Sequence, residues 1–547
     1  MVGMMAGGWG VVSFRIAGQR RPSSRDSGDL LVRRLLPWPL PFIMLVVVVA
    51  VLTAITAVLG DLDQHFTLGA LGSVQFVLNT NAAALTSAMS VLIALVLLTV
   101  QLTAQRYSFS VIGIFVQDRV NHVLVSLFIV TIVYNLWLGL ILKEDYIPAF
   151  GTLLAMLLMM LCFAMLPPYV LYLFDIISPD SILEHIQGQF MKSVRPIAGE
   201  RRIEQRRALA TRRISQMGDI ARTAVNLSDG AVARHSVWVL YWSISHYLEE
   251  KGRLAPEWFA VEESHFRGRH ELIVREIEET NTWVEIRMLD ELREVFFATL
   301  NKLHDVNNTV ALVLRLLGEK AVERDDHGLF TAVQKFFNTF LRAAINQGDV
   351  RAGYHVLYQY RLLADTTLDE HPDLTLQIAH RLSYYGDAAA SGPLLWMSAA
   401  AAYDLRILAE SAQARGAADA VVGAIVGAVI DTVRRGEAKH SPALPQLYKM
   451  AAALGAYFLE HDEPQHVRVL CEMLAGVPTE TLERVVEELV AVDDPVFWEL
   501  TDRVVNFDYV EPEVRARLPE LLARVPLVGV SLAEEPVRPG AAVPTSS

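Results

Sequence analysis

The stretch AFGTLLAMLLMMLCFAMLPPYVLYLF, residues 149–174, contains no Asp, Glu, Lys or Arg. A helix of about 20 apolar residues is long enough to cross a hydrocarbon core of about 30 Å, so the stretch predicts a transmembrane helix. Pro167 and Pro168 lie late in it, and each removes an amide donor and crowds the preceding turn. We therefore expect a local kink that directs the chain out of the membrane.

Three further runs upstream have the same character. They cover residues 41–60, 82–104 and 121–142, and none contains Asp, Glu, Lys or Arg. All four runs lie in the first third of a chain of 547 residues. This arrangement predicts an all-α protein with a four-span transmembrane domain over residues 31–175, followed by a large water-soluble part.

Basic residues flank the four runs unevenly. Six arginines precede the first run, residues 61–80 contain no Lys or Arg, and a dense basic stretch follows the fourth run. The positive-inside rule then places both termini, and the connection between the second and third runs, in the cytoplasm. A cleaved export signal is the alternative interpretation of the N-terminus. It is disfavoured because the first run is too long for a signal and lacks a small-residue cleavage site.

Charge and cysteine content argue against several functions and kinds of site in the soluble part. Residues 1–174 carry nine of the 48 basic and seven of the 61 acidic side chains, so the remainder carries 39 and 54, a balance of −15. Such an acidic domain is unsuited to general nucleic-acid binding, because phosphate attraction would have to overcome that field. Two cysteines are too few for a disulfide framework or a thiolate metal site.

The second run separates its side chains by character. At 100° per residue, one narrow face is small and polar, while the rest is mainly Val, Leu, Ile and Met. This face, which we call the stripe, consists of Ala83, Thr86, Ser87, Ser90, Ala94, Gln101 and Gln105. Small residues let helices approach closely and amides bond between helices, which favours a packing seam in an oligomer. A pore lined by the stripes of several subunits is the alternative.

The end of this run and the segment after it resemble a known family. Gln101, Gln105, Tyr107, Ser108, Asp118 and Arg119 match a pattern of a family of bacterial predicted integral membrane proteins of unknown function. The resemblance covers about residues 80–140, and Phe109 stands where the family usually has proline. It implies a protein of the bacterial inner membrane and transfers no catalytic or ligand residues.

A basic, amphipathic region follows the last span over residues 176–228. SPDSILEHIQGQF, residues 178–190, opens with a helix-start signal. Farther on, one helix face is apolar: Ile203, Ala210, Ile214, Met217, Ala221 and Val225. The basic residues of the region are Lys192, Arg195, Arg201, Arg202, Arg206, Arg212 and Arg213. We expect them to contact anionic lipid head groups, although a solvated face or one paired with acidic neighbours is equally consistent.

Residues 229–527 read as an acidic helical domain. Turn signals at 346–349, 384–387, 460–464, 492–495 and 508–512 separate segments with helical apolar periods. An irregular bundle or α-solenoid of stacked helices is predicted, and no fixed repeat is evident. The ends, residues 1–30 and 528–547, have the composition of disordered tails.

No set of residues in the sequence predicts catalysis. Phosphate-loop, dinucleotide-binding, zinc-protease and serine-hydrolase motifs are absent. His265 and His270 lie five apart on different helix faces, which favours a surface segment over a metal site. Tyr354 and Tyr358 lie one turn apart and predict a packed face rather than a ligand platform. We therefore predict no cofactor, no metal and no enzymatic activity.

The leading hypothesis is a non-enzymatic scaffold or sensor anchored in the membrane. It would form homo-oligomers through its spans and bind an unidentified protein through its cytoplasmic helical domain. An ion channel with the second span lining the pore is the alternative. A coupled transporter is disfavoured, because no span has a charged residue or histidine near its middle.

Overall fold

The structure is a computed structural model. It describes residues 71–107, 119–143, 148–196, 200–261, 266, 268–390, 394–498 and 503–526, together with Val51 and Ala54. Within these ranges the chain is mainly helical and has no strand, and an isolated antiparallel bridge joins Val496 and Val505. The all-α class predicted from the sequence is therefore confirmed. The chain divides into two compact units, residues 1–178 and 179–547.

Three described helices of the first unit are long and apolar enough to cross a membrane. They are α1 (Leu71–Tyr107), α2 (Arg119–Ile141) and α3 (Ala149–Ile177). The predicted span at 41–60 lies outside the described residues, apart from Val51 and Ala54, which are helical. Both predicted tails also lie outside them.

Helix α1 begins eleven residues before the predicted start of the second span. It is 37 residues long, or about 55 Å at 1.5 Å per residue, so it exceeds the thickness of a hydrocarbon core. Residues 71–81 contain no charged residue and no proline. The polar residues Asn79 and Asn81 are therefore compatible with a helix. The predicted second span starts only at residue 82, so the sequence placed both residues in the connection before it.

Helices α1, α2 and α3 pack against one another along two apolar clusters. One cluster includes Leu85, Leu92 and Phe128, and the other includes Leu78 and Tyr134. Because residues late in α1 meet residues early in α2, the two helices run antiparallel. This packing fixes which face of α1 is buried within the protomer.

The second unit contains sixteen α-helices among its described residues, and a short 3-10 helix, Pro256–Phe259, lies between the third and the fourth of them. They are α4 (Pro179–Ser193), α5 (Glu200–Asn226), α6 (Gly230–Lys251), α7 (Glu271–Glu279), α8 (Trp283–Thr299), α9 (His304–Glu323), α10 (His327–Gln347), α11 (Val350–Thr367), α12 (Pro372–Ala389), α13 (Leu395–Ala414), α14 (Asp419–Ala438), α15 (Leu444–Glu460), α16 (Pro464–Leu474), α17 (Thr479–Val490), α18 (Pro512–Arg515) and α19 (Leu518–Arg524). Hereafter this unit is called the helical domain.

Packing in the helical domain follows the order of the chain. Each helix from α8 to α15 contacts the next helix and the one after it. Helices α4 and α5 pack against α6, and α5 also packs against α8. The six apolar residues predicted to share one face of α5 are all buried. The spacing of apolar residues along α5 therefore predicted correctly which face of this helix is buried.

Most predicted turns separate helices, and one does not. Gly348, with φ +67°, ends α10, and the Asp349 carboxylate accepts a hydrogen bond from the Ala352 amide at 2.9 Å to start α11. The turn predicted at 384–387 is wrong, because these residues lie inside α12. A Cβ at Gly386 would lie 2.8 Å from Ala401 Cβ. This glycine allows α12 and α13 to approach closely, and it does not break the helix.

Candidate functional site

The stripe lies on the face of α1 that points away from α2 and α3. Ala83, Thr86, Ser87, Ser90, Ala94 and Gln101 are all exposed, and the side chain of Gln105 lies outside the described residues. The opposite face of α1, with Leu78, Leu85 and Leu92, is buried. The stripe is therefore not a seam between α1 and the other two described helices of its own chain.

The hydroxyl groups of the stripe bond to the backbone of their own helix. Thr86 Oγ1 donates to the Ala82 carbonyl at 2.8 Å, Ser87 Oγ to the Ala83 carbonyl at 3.0 Å, and Ser90 Oγ to the Thr86 carbonyl at 2.9 Å. A hydroxyl satisfied in this way needs no water, and it remains small enough for another helix to pack on it.

Polar side chains also lie between the three described membrane helices. Asn135 Nδ2 donates to the Thr131 carbonyl at 2.8 Å, and Thr131 Oγ1 lies 3.5 Å from Cys162 Sγ. Asn81 Nδ2 and Asn135 Oδ1 are buried and have no hydrogen-bond partner among the described residues. Hydropathy along the sequence does not reveal these polar contacts, because the residues that form them are uncharged.

The basic residues predicted to share a face at the end of α4 and along α5 differ in their exposure and in their contacts. Arg195, Arg202 and Arg212 are exposed, and none forms an ion pair with a carboxylate in the described ranges. Arg206 donates to the Arg195 carbonyl at 2.7 Å. Lys192 is half-buried, and the side chain of Arg201 lies outside the described residues. For the three exposed arginines, this arrangement argues against pairing with acidic neighbours.

Arg213 differs from the other arginines of this face because it packs inward. Its guanidinium donates to Gln216 Oε1 at 2.5 Å, and its Nε is buried with no partner in the part of the chain that the structure describes. Burial, together with the neighbouring positive charge of Arg212, lowers the pKa of Arg213. The structure thus gives Arg213 a packing role within the helical domain.

A cavity of about 590 Å³ lies between α5, α8 and the residues before α7. Four arginines line it, Arg222, Arg269, Arg287 and Arg293, together with Asp290, Glu291 and Glu294. Arg222 bonds to Glu291, and Arg269 bonds to Asp290. Its size suits a small molecule. Its lining charges, however, are largely neutralised by one another.

The predicted tyrosine pair of α11 packs around a distant arginine. The guanidinium carbon of Arg503 lies 4.1 Å from the centroid of the Tyr354 ring and 4.8 Å from that of Tyr358. Its Nη1 and Nη2 donate to the two carboxylate oxygens of Asp404 at 2.9 and 3.0 Å. Both ionic side chains are buried. The two tyrosines form a packed face, as their spacing predicts, and no sequence pattern pointed to Arg503 as their partner.

His270, one of the two histidines considered for a metal site, has a local role. Its Nδ1 accepts a hydrogen bond from the Leu272 amide at 3.2 Å at the start of α7. His265 lies outside the described residues. His270 therefore caps a helix.

These features together define the class of protein: an all-α membrane protein whose three described apolar helices precede a helical domain. Residues 36–231 match the family described as "Predicted membrane protein (DUF2254)", a family of unknown function. The resemblance predicted from residues 80–140 is thus confirmed, and the match extends to the start of α6. Neither the curated proteins nor the solved structures contain a match to this chain.

Proposed function

We propose that this protein is a non-enzymatic scaffold that self-associates in the membrane through the stripe of α1. The observation that carries the proposal is the orientation of the stripe: its described residues are exposed, while the opposite face of α1 packs on α2 and α3. Small side chains and a glutamine on an exposed face of a membrane helix favour close contact with another helix. A second copy of the chain is the partner that we propose.

Disulfide cross-linking between copies in native membranes tests this proposal. Ser90→Cys lies in the stripe, and Leu157→Cys, on an exposed face of α3, is its matched control. We expect Ser90→Cys to give cross-linked dimers and Leu157→Cys to give none. Pairing of Ser90→Cys only with a cysteine at Val49 of the same chain, in the predicted first span, would overturn self-association.

The substitution Gln101→Leu tests how much the side-chain amide of Gln101 contributes to the free energy of self-association. A hydrogen bond between membrane helices contributes about 0.6–2 kcal/mol, so we expect association in detergent micelles to weaken about 3- to 30-fold. Analytical ultracentrifugation measures this change. An ion-flux assay after reconstitution in liposomes tests the channel alternative. Selective ion flux that Gln101→Leu alters, with association unchanged, would favour a channel.

The proposed topology has four spans in a bacterial inner membrane, with both termini and the helical domain in the cytoplasm. It rests on the distribution of arginines around the apolar runs. The three described membrane helices are compatible with it. Stacking of each helix from α8 to α15 on its next two neighbours likewise supports an α-solenoid as the architecture of the helical domain.

Anionic lipid head groups are the proposed partners of the basic face. Arg202 and Arg212 support this because they are exposed and have no ion pair in the described ranges. Native mass spectrometry of full-length protein extracted from phosphatidylglycerol-containing membranes tests the proposal. We expect the double variant Arg202→Glu/Arg212→Glu to retain fewer phosphatidylglycerol molecules, and Arg484→Glu, an exposed arginine on α17, to match the unmodified protein. Equal retention of phosphatidylglycerol by the unmodified protein, the double variant and Arg484→Glu would contradict the proposed lipid contact.

The proposed site for a protein partner is an exposed aromatic patch on the helical domain. Trp396 of α13 and Trp498 are 56% and 79% exposed, and the ring of Phe497 lies 6.1 Å from that of Trp396. Exposed aromatic groups of this kind mark interaction surfaces. A photo-cross-linking residue at position 498 tests it. We expect one defined cross-linked product in cells, lost with Trp396→Ala, and the absence of any such product would contradict the proposal.

A further inference from the structure

Two helix starts near the end of the helical domain bring three potential metal ligands together. Asp419 is the first residue of α14, Glu463 immediately precedes α16, and His466 lies in the first turn of α16. One carboxylate oxygen of each acid and one ring nitrogen of His466 all lie within 4.8 Å of one another. Ligands of one zinc ion lie about 2.0–2.2 Å from it, so small side-chain rotations would bring all three into one coordination sphere.

The state of His466 distinguishes this group from an ordinary acidic cluster. The residue is only 8% exposed, and neither ring nitrogen has a hydrogen-bond partner among the described residues. An imidazole in a residue this largely buried has little access to water, so a bound ligand would supply a partner that the described residues do not. One of its ring nitrogens lies within 4.8 Å of a carboxylate oxygen of Asp419 and of Glu463, which stand at the starts of two different helices.

A capping hydrogen bond does not account for the position of the Glu463 carboxylate. Acidic residues are common at helix starts because their side chains bond to free amides. Glu463 occupies that position before α16, yet its side chain makes no capping hydrogen bond. Glu463 Oε1 instead accepts a hydrogen bond from Gln413 Nε2 of α13. A second residue that orients a ligating carboxylate is characteristic of metal sites.

We propose that Asp419, Glu463 and His466 bind a divalent transition-metal ion. Two carboxylates and one imidazole suit Zn²⁺ or Mn²⁺ and leave at least one coordination position open for water. The ion would bridge the starts of α14 and α16 and balance the two negative charges beside the buried ring. This site is independent of the stripe and of the proposed self-association.

Isothermal titration of full-length protein in detergent, after removal of metals with EDTA, tests the site with ZnCl₂ and with MnCl₂. We expect saturable binding of one ion per chain for at least one of the two salts. Asp419→Asn keeps the size of an exposed side chain and removes its charge, so it should preserve the fold and weaken binding at least about tenfold. His466→Gln should have the same effect. Bound metal should also raise the Tm of the unmodified protein by a few degrees, and should do so less in both variants.

His461→Ala is the matched control. His461 lies five residues from His466, is exposed, and stacks on Tyr457 with ring centroids 4.1 Å apart. It therefore represents adventitious binding by a surface histidine near the site. We expect its affinity and stoichiometry to equal those of the unmodified protein. Absence of saturable binding for both salts, or binding that His461→Ala weakens and Asp419→Asn leaves unchanged, would overturn the proposal.

Discussion

At the scale of single residues, Arg503 connects parts of the helical domain that are far apart in sequence. It bonds to Asp404 on α13 and donates to the Tyr354 carbonyl on α11 at 2.5 Å. Arg361 Nε lies 3.4 Å from the same carboxylate of Asp404. A buried charge pair of this kind depends on both partners, because either one alone would be buried without compensation.

We predict that Arg503→Ala destabilises the helical domain by about 3 kcal/mol, because Asp404 keeps only its weaker contact with Arg361. Thermal unfolding of the full-length protein, followed by circular dichroism, measures the change. The double variant Arg503→Ala/Asp404→Ala should lose less stability than the sum of the two single variants, since it leaves no unpaired charge. Additive effects would contradict the inferred coupling.

A second buried ion pair predicts a pH dependence. Glu285 is fully buried on α8, and Lys251 Nζ lies 2.7 Å from it and 2.8 Å from an oxygen of Asp326. Burial raises the pKa of Glu285, and the nearby ammonium group of Lys251 opposes that rise. Because its pKa is higher in the folded state, the carboxyl group's contribution to stability is fully present below pH 4.5 and falls as the pH rises through the folded-state value.

Lys251→Met should enlarge this dependence, because it removes the charge that opposes the rise in the pKa of Glu285. We expect the variant to differ least from the unmodified protein at acidic pH and to be about 3 kcal/mol less stable at neutral pH. Tm measured between about pH 5 and pH 8 gives the comparison. Adding Glu285→Gln to the variant should reduce the pH dependence of this difference, and Asp326, the other partner of Lys251, accounts for what remains. A difference that is constant with pH when Glu285 is present would contradict the assignment.

At the scale of helices, the helical domain depends on close contacts at a few glycines. Gly386 faces Ala401 across the contact between α12 and α13, whereas Gly427 on α14 has no atom within 4 Å of where a Cβ would lie. The two positions differ in packing, although both are glycines inside helices. The same substitution at each position therefore separates packing from helix propensity.

Gly386→Ala should destabilise the domain by about 1–3 kcal/mol, because the added methyl group forces two helices apart. Gly427→Ala should stabilise it by about 0.5–1 kcal/mol, because alanine favours a helix over glycine and nothing obstructs the methyl group. Chemical denaturation of both variants checks the opposite signs. Equal effects at the two positions would show that the contact at Gly386 does not restrict the approach of α12 and α13.

At the scale of the whole molecule, the proposed topology makes opposite predictions for the two sides of the membrane. A cysteine introduced at Gln64 should react with an impermeant maleimide in intact cells, because the connection after the first span is proposed to lie outside. A cysteine at Ser110 should react only after the cells are opened. Both positions lie outside the described residues, and the expectation rests on the distribution of arginines. Reaction at Ser110 in intact cells would contradict this orientation.

Much of the helical framework was predictable from the sequence, because it depends on local patterns. Apolar runs without charge marked three described membrane helices, and the apolar period of residues 200–226 identified the buried face of α5. Four of the five predicted turns lie between helices. The turn predicted at 384–387 failed because a glycine followed by an acid also fits a helix that needs a close contact.

By itself, the sequence determined the three described membrane helices, the all-α class and the stripe as a set of residues, since each follows from hydropathy or helical periodicity along a single segment. Only the tertiary structure decided that the stripe faces away from α2 and α3, that Arg503 lies between Tyr354 and Asp404, and that His466 lies near Asp419. These relations join residues up to 149 positions apart. Helical periodicity assigns a residue to a face, whereas the packing of all helices together determines what that face contacts.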